Sequence, residues 1–191
     1  IDGKQKLTST FPNVYLDDLF YLDFYSIERF GKTKLGQMLL YAKQSQNKKL
    51  IGSLMQEITP RIHELIIRHK IDAIGFIPPT VKREIQLMRE FAKRFHLVKP
   101  IIPIQKITGE VAIPQKTLTR LDDRIENAAK SMNIKTQTPY KNILLIDDAV
   151  GSGATLNETA KQLREKNICT GKIIGLAITG SFKGFDVISE V

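Results

Sequence analysis

The stretch that most constrains this chain is residues 143–156, which read I-L-L-I-D-D-A-V-G-S-G-A-T-L. Ile143, Leu144, Leu145 and Ile146 form a strand only if both of its faces are covered, the condition of a central strand in a parallel α/β sheet. Asp147 and Asp148 stand at the carboxyl end of that strand, and a run of small residues then opens a helix predicted over 156–165. In an open parallel sheet, ligands sit in the crevice beyond the carboxyl ends of the strands. A helix start built from small residues exposes backbone N–H groups and the positive end of the macrodipole, a setting for a phosphate. Carboxylates just ahead of it do not hold phosphate directly at pH 7. They accept hydrogen bonds from sugar hydroxyls or approach phosphates through a bound cation.

Strand and helix patterns alternate from residue 71 onward. Apolar runs at 71–77, 101–104 and 172–179 are interleaved with amphipathic stretches at 81–96 and 119–132, an order that calls for a parallel sheet with right-handed crossovers. Pro78 and Pro79 cannot extend a central strand, so the chain turns sharply there. Upstream, 31–43 places Leu35, Met38, Leu39 and Ala42 at helical spacing and leaves Lys32, Lys34 and Lys43 for solvent. A second amphipathic helix is predicted over 50–69, with His63 and His69 as solvated positions. The aromatic segment 11–30 reads as short strands and a turn, and the polar residues 1–10 are expected to fray. Residues 132–141 read as a linker.

Length and composition narrow the function classes. A chain of 191 residues suits one domain with a sizeable core. No apolar run reaches the ~20 residues needed to cross a bilayer and no signal-peptide pattern opens the chain, so a cytoplasmic protein is expected. Cys169 is the only cysteine, which excludes an internal disulfide and a cysteine-based zinc cluster. The chain opens on Ile1, which points to a preceding segment. A net charge of +9 favours anionic partners, a phosphorylated sugar or DNA through a basic surface. Gly31-Lys32-Thr33 is no phosphate-binding loop of the Walker type, because Ser26 stands where the first glycine is required. The pattern G-x-G-x-x-G is absent as well.

The register of residues 143–155, an apolar strand, two acidic residues, two spacers and a small loop ending in Thr, resembles the phosphoribosyl-pyrophosphate motif of the type I phosphoribosyltransferases. The resemblance implies a three-layer α/β fold with a mostly parallel central sheet and a small N-terminal hood. Residues 1–70 are then expected to supply the hood and a helical segment packed on a core of 71–191, a single compact domain overall. It also implies roles. Asp147 and Asp148 would hold the ribose 2- and 3-hydroxyls. Ala149, Val150, Gly151, Ser152, Gly153, Ala154 and Thr155 would form the loop around the 5-phosphate, and Mg²⁺ would be carried by bound 5-phosphoribosyl 1-pyrophosphate with Asp147 and Asp148 nearby. Ala149 replaces a larger aliphatic residue of the family pattern. Gly151 stands where the purine-salvage members supply an Asp that works as general acid and base, so that proton-transfer group is absent here or filled from elsewhere.

Two weaker matches resemble the competence-associated, ComF-like branch, which is related to the amidophosphoribosyltransferases. Arg83 and Gln86 match the ends of its Arg-Gly-Phe-Asn-Gln segment after a proline turn. Gln115, Leu118, Arg124 and Asn127 match its Gln-x-x-Leu and Arg-x-x-Asn signature. By that resemblance Thr80, Lys82 and Arg83 would bind pyrophosphate, while Gln115, Arg124 and Asn127 would belong to a flap that closes over the ligand. The N-terminal Cys₄ zinc module common in that branch is missing. The implied activity is pentosyl transfer, displacement of pyrophosphate at C1 by a nitrogen nucleophile with the acceptor open. The alternative is a non-catalytic module binding the sugar diphosphate or nucleic acid and related to DNA uptake. A homodimer is compatible with either.

Overall fold

The computed structural model describes residues 1–79, 83–107 and 121–182, the side chains of residues 124, 130 and 131 excepted. The N-terminal part comprises α1 (Lys4–Thr10), β1 (Asp18–Phe24), β2 (Ser26–Ile27), β3 (Gly31–Lys32), α2 (Lys34–Ser45) and α3 (Lys48–Arg68). There follow β4 (Ala73–Phe76), α4 (Leu87–Phe95), β5 (Ile101–Ile102), β6 (Ile104–Lys106), α5 (Leu121–Ser131), β7 (Met132–Ile134), β8 (Ile143–Val150), α6 (Ala154–Glu165) and β9 (Ile173–Gly180).

β8 occupies the centre of a five-stranded sheet of order β1-β9-β8-β4-β5 in which every neighbouring pair is parallel. Its first four residues are buried to the last ångström on both faces, as the unbroken apolar run requires. Leu144 and Ile146 join a core with α2, α3 and α4, whereas Ile143 and Leu145 join a second core with α1, α5 and α6. The result is a three-layer α/β architecture, as expected. The connection from β4 leads outward to β5, while that from β8 leads the other way to β9. The boundary between β4 and β8 is therefore a topological switch point, where the two crossovers leave a crevice at the strands' carboxyl ends.

Several local expectations differ from what is found. Residues 1–10 are ordered into α1 because Leu7 is buried beneath the start of α6 and the Gly3 N–H donates to Leu19 O at 2.7 Å. The aromatic segment, expected as short strands and a turn, supplies β1, the outer strand of the main sheet, paired with β9 from Asp18↔Ile174 to Phe24↔Gly180. Only β2 and β3 form a separate hairpin there. The strand expected over 101–104 divides at Pro103, which has no N–H for a ladder. β5 stays in the main sheet, and β6 pairs antiparallel with β7, a strand drawn from the expected linker. The helix expected over 81–96 begins only at Leu87. Residues 83–86 are held as irregular chain, with the Ile85 N–H donating to Gln46 Oε1 at 3.1 Å. α3 runs through Pro60, its seven buried apolar residues outweighing the lost hydrogen bond. Among the described residues, no helix is long and apolar enough to cross a membrane.

Candidate functional site

The switch-point crevice is where the chain's charged chemistry converges. β4 stops at Phe76, paired with Ile146, so β8 continues beyond its neighbour for four more residues, supported on the β9 side alone. Asp147 and Asp148 lie in this overhang and are partly buried. Consecutive strand residues face opposite ways. Asp148 shares the face of Leu144 and Ile146, toward α2 and α4, and Asp147 shares the face of Ile143 and Leu145. The adjacent carboxylates are thus split across the end of the sheet.

Each has a defined partner. Asp147 Oδ1 accepts from the Asp148 N–H at 2.8 Å. Asp148 Oδ2 accepts from Lys43 Nζ at 2.7 Å, across 105 residues of sequence. Lys43 is only 8% exposed and Asp148 15%. Lys43, Asp148, Pro79, Arg83, Ile85 and Gln86 border a small cleft between α2, the β4–α4 connection and the end of β8, with Leu87 and Met88 closing one side. Burial pushes the Asp147 carboxyl up to about 8, helped by the negative charge of Asp148, while the Asp148 N–H and the Lys43 ammonium pull it back.

This shift has a stability consequence. A carboxyl that binds its proton more tightly in the folded than in the unfolded chain stabilises the fold below about pH 4, and that contribution is lost as pH rises toward about 8. Asp147→Asn removes the titration. In the ligand-free protein it is expected to match wild type at pH 4 and to exceed it by about 1–3 kcal/mol at pH 8, an amount reduced for partial exposure. Urea melts of both proteins at the two pH values check this. An equal difference at both would show that Asp147 does not titrate in this window.

Beyond Val150 the chain turns in three residues. Gly153 takes the helix-capping position with φ 88°, a left-handed conformation that a side chain disfavours. Ser152 is buried, and its Oγ accepts from the Ala154 N–H at 3.3 Å. The first intrahelical bond of α6 is Asn157 N–H to Gly153 O, so the earlier first-turn N–H groups have no helical carbonyl to take. α6 is anchored through the buried Asn157, which accepts from the Tyr15 N–H at 2.8 Å and donates to Asn13 O at 2.9 Å.

Of the predicted site residues, the structure brings Asp148 and Arg83 to one cleft, while Asp147 and the 149–155 segment adjoin Asp148 along the chain and are not among the residues that line it. Asn127 lies on α5, which packs on α6, and is partly buried; the backbone of Arg124 is on the same helix. Thr80, Lys82 and Gln115 lie outside the described residues. Lys43 corrects the sequence reading: expected in solvent, it is buried against the cleft. Its spacing held the signal, since Leu35, Leu39 and Lys43 follow one another at four-residue intervals and so share the apolar face of α2.

Asp147 and Asp148 are hard oxygen donors of the kind Mg²⁺ takes. Among the described residues, however, no group of three acidic, histidine or cysteine side chains could hold a metal ion. Two carboxylates leave most of an octahedral shell to fill, so among the described residues they fit a cation that takes its other oxygens from a ligand or water.

No family model matches this chain, and no curated protein matches it. Among solved structures it is similar to adenine phosphoribosyltransferase from Leishmania tarentolae, at 12% identity and a TM-score of 0.39, over 81% of this chain and 90% of that one. Agreement that loose decides neither ligand nor activity.

Proposed function

We propose that this protein is a phosphoribosyltransferase that binds 5-phosphoribosyl 1-pyrophosphate together with Mg²⁺ in the switch-point cleft. The observation that carries the reading is that Asp148 and the cation Arg83 line one cleft at the carboxyl ends of β4 and β8, with Asp147 and the tight turn into α6 adjoining Asp148 along the chain. Each suits one part of the ligand: carboxylates the ribose hydroxyls, first-turn N–H groups the 5-phosphate, and cations the diphosphate.

In the proposed reaction a nitrogen nucleophile forms a bond to C1 as the C1–O bond breaks. Pyrophosphate leaves with the electron pair, and the nitrogen gives up a proton. Positive charge builds on the ribose ring as the leaving group departs. The protein's part is position and charge: a clamp on the 5-phosphate, acceptors for the two hydroxyls, and cationic groups beside the departing oxygens. Mg²⁺, when bound, neutralises part of the diphosphate charge. Gly151 offers no proton-transfer group, so an amine or ammonia suits the site better than a nucleobase that needs acid and base help. The two ComF-like segments support placing the chain in that branch.

Isothermal titration with 5-phosphoribosyl 1-pyrophosphate, with and without Mg²⁺, tests binding. A pyrophosphate-release assay over bases and amines tests transfer. Mg²⁺-dependent binding with release from one acceptor is expected, and failure to bind would sink the reading. The net charge of +9 favours a second reading, a module that binds the sugar diphosphate or DNA without transfer. DNA affinity that falls steeply with salt, with no release from any acceptor, would support it.

A further inference from the structure

Lys43 is a basic residue with no place in the motifs, yet it occupies the most enclosed cationic position at the cleft. Burying an ammonium is unfavourable unless it is paired, and Asp148 provides the pair at 2.7 Å. The pairing leaves capacity unused. An ammonium carries three N–H donors, and Asp148 is the only partner found for Nζ among the described residues. The same residue lines the cleft whose other cation among the described residues is Arg83, contributed by a different segment of chain. Among the described residues the lining thus carries two cations and one carboxylate, and that carboxylate is already neutralised by Lys43. The space between is left with a surplus of positive charge, suited to a compact group of several negative charges.

We propose that Lys43 is a diphosphate-binding residue: with one N–H on Asp148, it directs its remaining donors to an oxygen of the ligand's diphosphate, facing Arg83 across the cleft. The inference rests on the phosphoribosyltransferase reading for the identity of the full ligand, but its anion chemistry stands separately. It gives α2 a function in the site. It also links the two halves of the ligand physically, because the carboxylate proposed to accept a ribose hydroxyl and the ammonium proposed to hold the diphosphate are bonded to each other. Lysine's flexible stem lets the ammonium adjust toward an incoming oxygen without breaking the bond to Asp148.

The test is calorimetric, on the full chain with Mg²⁺ present, using 5-phosphoribosyl 1-pyrophosphate, inorganic pyrophosphate and ribose 5-phosphate as three separate probes. Lys43→Met keeps the stem and removes the charge. It is expected to weaken both diphosphate-bearing probes by about tenfold or more, the scale of a charge-assisted hydrogen bond, and to leave ribose 5-phosphate within about threefold of wild type. Lys43→Arg should restore most of the pyrophosphate affinity. Equal losses for all three probes would overturn the inference, since Lys43 would then act only by holding Asp148. Unchanged pyrophosphate affinity would also overturn it. Should Lys43→Met fail to fold because Asp148 is left unpaired, pyrophosphate affinity is compared between Asp148→Asn and Asp148→Asn/Lys43→Met, where no carboxylate is stranded. The same drop is expected, and no drop overturns the proposal. Wild-type protein that binds inorganic pyrophosphate in a Lys43-dependent way but not 5-phosphoribosyl 1-pyrophosphate would keep this inference and remove the broader reading. Wild-type protein that binds 5-phosphoribosyl 1-pyrophosphate with no dependence on Lys43 would do the reverse.

Discussion

The double variant Asp147→Asn/Asp148→Asn is expected to lose at least about a hundredfold in affinity for 5-phosphoribosyl 1-pyrophosphate with Mg²⁺, measured by titration calorimetry. A hydrogen bond to a charged group contributes about 1.5–3 kcal/mol and one to a neutral group about 0.5–1.5 kcal/mol, and the variant removes the ionised Asp148 together with an Asp147 carboxyl that burial holds near its neutral form. The effect on the fold is expected to be smaller, because the two substitutions act in opposite directions. Asparagine at 147 relieves a carboxyl that burial already pushes toward its neutral form. Asparagine at 148 leaves the Lys43 ammonium, 8% exposed, without its carboxylate, and stranding a buried charge costs about 3–5 kcal/mol. The double variant should therefore melt below wild type yet remain folded, and Asp148→Asn alone should be the less stable of the two at pH 8. Affinity within about threefold of wild type would mean that the carboxylates do not touch the ligand.

The second large effect concerns how α2, and Lys43 with it, is seated. Thr33 caps the helix, its Oγ1 accepting from the Gly36 N–H at 3.0 Å and donating to Phe24 O at 2.6 Å, while the Thr33 N–H donates to Tyr25 O at 3.2 Å. This clamp draws the first turn of α2 against the end of β1. A Cβ on Gly36 would lie 2.1 Å from Tyr25 O, a backbone atom that cannot swing away. Gly36→Ala is expected to destabilise the protein by about 3 kcal/mol or more despite the higher helix propensity of alanine, and to lower the melting temperature by about 6–12 °C. The matched control is Gly52→Ala on α3, where nothing lies within 4 Å of the added carbon. That variant should gain up to about 1 kcal/mol. Scanning calorimetry of both decides the matter. A Gly36→Ala protein as stable as wild type would show that α2 is not held this close to β1.

How far the chain could be read before folding depended on where each interaction's information resides. The central strand was legible because its requirement is local: four large apolar residues in succession have no solvent-facing alternative, and β8 is buried on both faces as that pattern demands. The position of Asp147 and Asp148 at the carboxyl end of the sheet followed from the same run and the glycines after it. Helices α2, α3 and α6 lay close to their predicted spans because 3.6-residue periodicity is written in contiguous residues. α4 did not. Its first turn is taken by a loop that Gln46 holds from another element, a contact 39 residues away in sequence.

A parallel α/β sheet with a carboxylate pair and a small-residue turn at its carboxyl end is written into the chain itself. These features need only local spacing and the rule that an uninterrupted apolar strand must be covered on both sides. The tertiary structure alone decided that the first ten residues are ordered, that segment 18–24 becomes the edge strand of the sheet, and that adjacent Asp147 and Asp148 serve opposite faces of it. It alone decided that Lys43 turns inward to Asp148. A lysine on an apolar stripe can reach past its neighbours to water or turn into a cleft, and the choice depends on whether an anion waits there. In this chain that anion lies 105 residues away, so the ion pair exists only once helix and strand are packed.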